Sequence, residues 1–319
     1  MRKLTFAPGD PSLLRSAFIA LSTNKPLRRF SERSSVGRKL SSRFVAGMTL
    51  PDVIAAAESL QQKGIASTLD ALGENVYTPE EAQKSADLYH RLLDAITARK
   101  LQDSNVSLKL TQMGMDIDPA LAESIVRDLT SHAARADSFV RVDMEGTPYT
   151  QATVNMVERV HALPGNTSRV GTVIQSYLYR SEADITQLVS QGIRIRLCKG
   201  AYKEPANLAF PDKVDVDANY VKLAKQLLTS GVFHGLATHD EAIIRTMKQF
   251  VAEQNIPKDS FEFQMLYGIR RDLQESLVKE GFRMRVYIPF GPEWYPYFMR
   301  RLAERPANAI FIAKQFFRN

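Results

Sequence analysis

Between residues 65 and 290 the chain alternates two hydrophobic patterns. Short apolar runs rich in β-branched and aromatic residues occur at "IASTLDAL" (65–72), "NVSLKLT" (105–111), "SFVRVDM" (138–144), "RVGTVIQS" (169–176), "IRIRLCK" (193–199), "HGLATH" (234–239), "FEFQML" (261–266) and "RMRVYIP" (283–289). Runs of this length and composition predict strands. Between them, apolar residues return every three or four positions at 79–99, 119–134, 150–163, 181–191, 217–230 and 240–254, which predicts helices. Eight strands alternating with helices argue for parallel pairing through right-handed crossovers, an α/β chain closed as a (β/α)8 barrel. An open doubly wound sheet has the same alternation and is the competing architecture. Against it, no G-x-G-x-x-G follows the first strand, and no G-x-x-x-x-G-K-[ST] occurs.

Ahead of the barrel pattern, Asp10 and Pro11 read as an N-cap and first helical residue, and a second helix is expected from Pro51 to Lys63, stopped by Gly64. One catalytic domain is expected over 1–319, with a helical arm (1–64) before the barrel and its C-terminal helices (65–319). Charge divides at the same place. Residues 1–48 carry ten basic and two acidic residues, so the +7 of the whole chain leaves −1 for the rest. This basic, acid-poor arm reads first as a solvated helical face, with an organelle transit peptide and an anionic-surface or nucleic-acid binder as alternatives. One cysteine, Cys198, excludes an internal disulfide framework, and no apolar run approaches a bilayer span. A soluble, cytoplasmic protein is the expectation.

In a barrel, chemistry gathers at the C-terminal strand ends. There the pattern puts Asp70 and Glu74, Lys109, Asp143, Gln175, Arg196 and Lys199, Thr238 and His239, Gln264, and Tyr287, a polar group from every strand. The five histidines lack the spacing of a helical zinc pair, so no metal site is expected, and no G-x-S-x-G elbow is present. "YPYFMRRLAERPAN" (295–308) instead sets Tyr297, Arg300, Arg301 and Glu304 on one helical face, followed by Arg305. An isolated arginine pair is ordinarily surface charge. Here the aromatic run before it makes the helix too apolar for solvent, and paired guanidiniums suit a carboxylate or phosphate. A lyase using Lys109 or Lys199 as a Schiff base stays open at this point.

"RVYIPFGPEWYPYFMRRLAERPAN", "FQMLYGIRRDL", "RLCKGAYKE" and "SLKLTQMGMDID", with "RVDME", "IQSYLYR" and "ATHD", closely resemble, in order, the motifs of the proline dehydrogenase family over about residues 65–310. The resemblance implies a distorted barrel with its eighth helix over the strand ends, and FAD bound non-covalently without a Rossmann domain. It implies oxidation of L-proline to Δ1-pyrroline-5-carboxylate, the first step of proline catabolism, with hydride passing to flavin N5 and electrons then to a membrane quinone. Arg300, Arg301 and Lys109 are then expected to hold the proline carboxylate, while Tyr287 and Tyr297 wall its ring; Tyr287 also disfavours 4-hydroxyproline. Met144, Gln175, Arg196, Lys199, Gly200, Ala201, Thr238 and His239 are the expected cofactor contacts, with Arg196 near N5. Asp143 takes a catalytic position, and Glu74 pairs with Arg300 as a lid. Other expected partners are a separate pyrroline-5-carboxylate dehydrogenase and, through the basic arm, the inner membrane surface; no nucleic acid is expected. Cys198 departs from the aliphatic residue common at its position and reads as a small hydrophobe. Arg270 and Arg271 lie outside the matched motif and read as solvated surface.

Overall fold

The computed structural model describes residues 41–73 and 75–304, without the side chains of Arg300 and residues 302–304. Eight parallel strands close a barrel in chain order: β1 (Ala66–Ala71), β2 (Asn105–Leu108), β3 (Val140–Val142), β4 (Val170–Gln175), β5 (Arg194–Cys198), β6 (His234–Ala237), β7 (Phe261–Leu266) and β8 (Arg283–Phe290). Closure rests on β1 pairing with β8 from Ala66↔Arg285 to Ala71↔Phe290, which rules out the open sheet. The helices are α1 (Leu50–Gln61), α2 (Pro79–Ala98), α3 (Pro119–Arg135), α4 (Thr147–His161), α5 (Ser181–Ser190), α6 (Lys213–Leu228), α7 (Glu241–Glu253), α8 (Arg271–Lys279) and α9 (Trp294–Glu304).

Local signals explain several of the helix starts. Thr49 and Asp52 form a capping box at α1, and Thr78 and Asp118 cap α2 and α3, each followed by proline at the first turn. Helix α4 lacks a side-chain cap from its own Gly146; Glu204, from the loop after β5, accepts from Thr147 N (2.9 Å) and Thr147 Oγ1 (2.5 Å) instead.

Strand parity sorts side chains between two environments. Val106, Val142, Ile195, Leu197, Phe263 and Val286 belong to the main apolar cluster with the surrounding helices. The other parity carries Ser107, Arg141, Arg196, Glu262, Gln264 and Arg285, all buried and bonded to one another or to backbone across the barrel interior. This barrel therefore has a polar centre.

The last helix among the described residues is displaced from the wall. Helix α9 packs Trp294, Tyr295, Tyr297, Phe298 and Met299 on Phe44, Val45 and Leu72, a cluster separate from the main core. Leu72 directly follows β1, so α9 lies at the C-terminal strand ends, as the resemblance implied. Helix α1, assigned from sequence to the N-terminal arm, buries Val53, Ile54 and Ala57 and packs against β8 and β1. It occupies the wall position that a ninth element lying over the mouth leaves open.

Candidate active site

Six of the eight predicted strands run one to three residues too far at the chemical end, while β7 ends as expected and β8 runs one residue further. Lys109, Asp143, Lys199, Thr238 and His239 all follow their strands. There the ladder survives on one side only: Asp143 N still donates to Leu108 O (2.8 Å) and Thr238 N to Gln264 O (3.1 Å). Side chains in these positions point around the mouth of the barrel and into its polar centre.

Asp143 is the shared acceptor. Its Oδ1 receives Ser107 Oγ (2.7 Å) and Arg196 Nη1 (2.8 Å), and its Oδ2 receives the Tyr287 hydroxyl (2.9 Å). The ion pair is largely dry, with the Arg196 and Asp143 side chains 8% and 13% exposed. Arg196 also donates from Nε to Gln264 Oε1 (2.6 Å) and stands 5.1 Å over the Tyr287 ring. Burial, then the charges of Asp143 and Asp70, pushes the Tyr287 phenol well above its ordinary range, so it remains a donor. The site thus presents a fixed guanidinium beside a neutral phenol.

Lys109 faces the same centre, its Nζ 3.4 Å from Asp70 Oδ1. Asp70 is fully buried, and its Oδ2 has no hydrogen-bond partner. Burial raises its pKa; Lys109 opposes the shift, and the nearby Asp143 charge adds to it.

Residues expected at the cofactor divide into two groups. Gln175 is buried and donates from Nε2 to Glu145 O (3.1 Å); Met144, the residue before Glu145, is buried; His239 Nε2 accepts from Leu266 N (2.9 Å); Thr238 Oγ1 accepts from Asp240 N (3.0 Å). Lys199 instead lies between two carboxylates, 2.5 Å from Asp217 Oδ1 and 2.9 Å from Asp240 Oδ2. Gly200 has φ +120, and a Cβ there would collide with the Tyr177 ring, so its close backbone approach is to Tyr177. Ala201 is exposed. Burial pushes the Cys198 thiol up to about 12, which keeps it protonated against the core.

On α9, Tyr297 is buried and the Arg301 guanidinium lies 5.2 Å from its ring centroid. Glu74, Arg305, the expected helix at Asp10 and the side chains of Arg300 and Glu304 lie outside the described residues, and so does the lid pair. Arg270 pairs with Asp272 and Glu241, and Arg271 stands 5.8 Å over the Tyr267 ring. Ser107 was missed as a site residue, although it shares strand parity with Lys109 two positions on. Glu262 and Arg285 were missed too; their only signal was charge inside otherwise apolar strands. Among the described residues no helix is long and apolar enough to cross a membrane, and no group of three or more His, Cys, Asp or Glu is arranged to hold a metal.

Comparisons with known proteins follow the same outline. Residues 53–314 match the family described as Proline dehydrogenase. Proline dehydrogenase 1 of Bacillus subtilis (strain 168) is 43% identical over 303 residues, covering 95% of this chain and 98% of its own. Proline dehydrogenase of Deinococcus radiodurans is 44% identical over 280 residues, covering 86% and 89%. Among solved structures, proline utilization A (PutA) from Bdellovibrio bacteriovorus, inactivated by N-propargylglycine, shares the fold with a TM-score of 0.79 at 24% identity. The present chain spans 36% of that longer one.

Proposed function

The chain belongs to the proline dehydrogenase family, and from that premise we propose that the polar ring at the barrel mouth is where it oxidises L-proline to Δ1-pyrroline-5-carboxylate, with FAD held non-covalently. The observation that carries this assignment is the dry cluster of Ser107, Asp143, Arg196 and Tyr287 at the strand ends.

The family is flavin-dependent, and the residues present suit a flavin. Tyr177, packed against Gly200, has a buried hydroxyl without a hydrogen-bond partner, a polar group a cofactor can satisfy. Arg196, Lys199, Gln175, Thr238 and His239 would hold the cofactor, with Gly200 and Met144 shaping its bed. When bound, FAD supplies the two-electron oxidant for the substrate carbon.

The chain's own residues have three tasks. Lys109, Arg300 and Arg301 bind the substrate carboxylate, three cations for one anion. Their excess positive charge disfavours a protonated substrate amine, which must lose its proton before oxidation. Tyr287 and Tyr297 orient the ring, and Asp143 keeps both Arg196 and Tyr287 in place. Orientation of this kind is worth much of a reaction barrier, since displacements of about 1 Å can cost roughly a hundredfold in rate. A quinone-type acceptor for the electrons and a separate enzyme for the product complete the proposal. The basic arm's charge supports docking at an anionic membrane surface.

An anaerobic visible spectrum of the FAD-loaded protein, before and after L-proline, tests the reading. Yellow protein bleached by L-proline, and less readily by 4-hydroxyproline, is the expected result. A protein that fails to take up FAD, or whose colour L-proline leaves unchanged, overturns it.

A further inference from the structure

Below the Asp143 cluster the polar centre continues as an ordered chain of donors and acceptors. Arg285 Nε donates to Glu262 Oε1 (2.7 Å), Gln264 Nε2 donates to the same oxygen (2.6 Å), and Arg196 Nε donates to Gln264 Oε1 (2.6 Å). Arg196 then reaches Asp143, which receives Tyr287. Arg285 and Tyr287 are two residues apart on β8, so the chain leaves β8, crosses β7, β5 and β3, and returns to β8. The path thus begins and ends on one strand.

We propose that Glu262 and Gln264 are positioning residues for the reaction, setting the place and orientation of the Arg196 guanidinium from beneath. The proposal rests on the assignment of Arg196 to the active centre. A glutamine amide can be turned end for end, and here only one orientation works. Turned the other way, its oxygen would face the Glu262 carboxylate and its NH2 group would face the Arg196 N–H, acceptor against acceptor and donor against donor. The carboxylate therefore decides the amide orientation, and the amide decides where Arg196 can rest.

Two further observations support this order. Burial opposes ionisation of Glu262, yet Arg285, Gln264 and Arg141 together hold its carboxyl below the usual glutamate value, so it acts as an acceptor. Gln264 must also pass β6 to reach β5 from β7. Gly235 lies there, paired with Arg196 on one side and Glu262 on the other. A Cβ at Gly235 would lie 2.8 Å from Gln264 Cδ, so the glycine provides the passage for the amide. The Arg285 end is itself anchored, its Nη1 donating to Ser67 O (2.7 Å) and Asp103 O (2.6 Å).

The first test uses the unaltered, FAD-loaded protein without substrate. In a side-chain ¹H–¹⁵N spectrum, the Arg196 Nε–H should exchange about 100-fold more slowly than those of exposed arginines; exchange at the exposed rate overturns the proposal. This arm is independent of proline turnover, so failure of the functional assignment would appear separately, as absent oxidation by the same sample. The second test compares Glu262→Gln, Gln264→Glu and the double exchange. Gln264→Glu sets carboxylate against carboxylate, whereas Glu262→Gln keeps one oxygen for both Arg285 and Gln264 but removes the charge that fixes the amide; kcat for proline should fall roughly tenfold in each, with KM little changed and a shifted flavin midpoint potential. In the double exchange the new amide accepts from Arg285 and donates to the new carboxylate, which accepts from Arg196. Recovery of kcat to within about threefold and return of the potential are expected. Single variants with unaltered kcat and potential, or a double variant no better than either single one, would show that these residues only hold the barrel together. If a single variant does not fold, the exchange measurement on the unaltered protein decides.

Discussion

Replacing Asp143 separates the two things its carboxylate does, accepting hydrogen bonds and carrying charge. In Asp143→Asn one oxygen still accepts from Ser107 and Arg196, and the Tyr287 hydroxyl can rotate to accept from the new NH2 group. What is lost is charge assistance on the 2.8 Å bond from Arg196. Bonds to charged groups contribute about 1.5–3 kcal/mol and neutral ones about 1, so the loss is about 1.4 kcal/mol, or tenfold in rate. Asp143→Ala removes the acceptor for Arg196 and Tyr287 together, while Arg196 keeps Gln264 and Ser107 keeps a 3.4 Å approach to Arg141 O. That loss is about 3 kcal/mol, or roughly 150-fold. The assay is the rate of flavin reduction by L-proline after anaerobic mixing, with kcat/KM in a dye-linked assay as a check. Rates ordered Ala well below Asn, and Asn below Asp, are expected. An Asn variant as impaired as Ala, or an Ala variant within threefold of the unaltered protein, would refute the shared-acceptor argument.

Three other perturbations have defined outcomes. His234 is buried, accepts from Ile195 N (3.0 Å), and has its pKa pushed down to about 3 from 6.5, mainly by burial and then by Arg141. Because the unfolded chain takes up this proton first as pH falls below 6.5, stability should fall with pH by up to about 1.4 kcal/mol per unit, towards pH 3. Urea midpoints between pH 6.5 and 5 should show a shallower slope in His234→Gln, and equal slopes would contradict the assignment. Gly200→Ala combines a left-handed φ with a collision against Tyr177 and should lower stability by about 2–4 kcal/mol in denaturant titration; an unchanged midpoint would contradict the geometry. Tyr287→Ser loses both the bond to Asp143 and the ring beneath Arg196, so kcat/KM for L-proline should fall about 30-fold, while the ratio of 4-hydroxyproline to proline turnover rises. A falling ratio would remove Tyr287 from specificity.

The barrel itself was legible because β-rich runs and helical periods alternate from residue 65 to the seventh strand. Helix α8, nine residues long, is too short for its period to stand out between Gly268 and Gly281. Proline and glycine signals placed α1 but could not say which strands it covers. The gathering of polar residues at the strand ends was visible, yet it does not state where a ladder ends, and Lys109 and Asp143 were accordingly placed inside strands. The partners of Lys199 were hidden for another reason. Asp240 is 41 residues away, and the parallel pairing of β5 with β6 brings the end of β5 next to the start of α7. The roles of individual site residues came from the resemblance, since strand spacing alone distinguishes neither a ring-packing tyrosine from a capping one nor a carboxylate-binding lysine from an ordinary strand-end cation.

The separate aromatic cluster of α9 divides the labour of this chain in two. With α1 sealing the wall between β8 and β1, the barrel does not depend on α9 to close. Residues proposed to grip the substrate can therefore drift, retune or hinge while the foundation stays intact. Changes at Tyr297 or Arg301 should act on selectivity and turnover and leave the unfolding midpoint nearly untouched, whereas changes in α1, remote from all chemistry, should weaken the whole vessel.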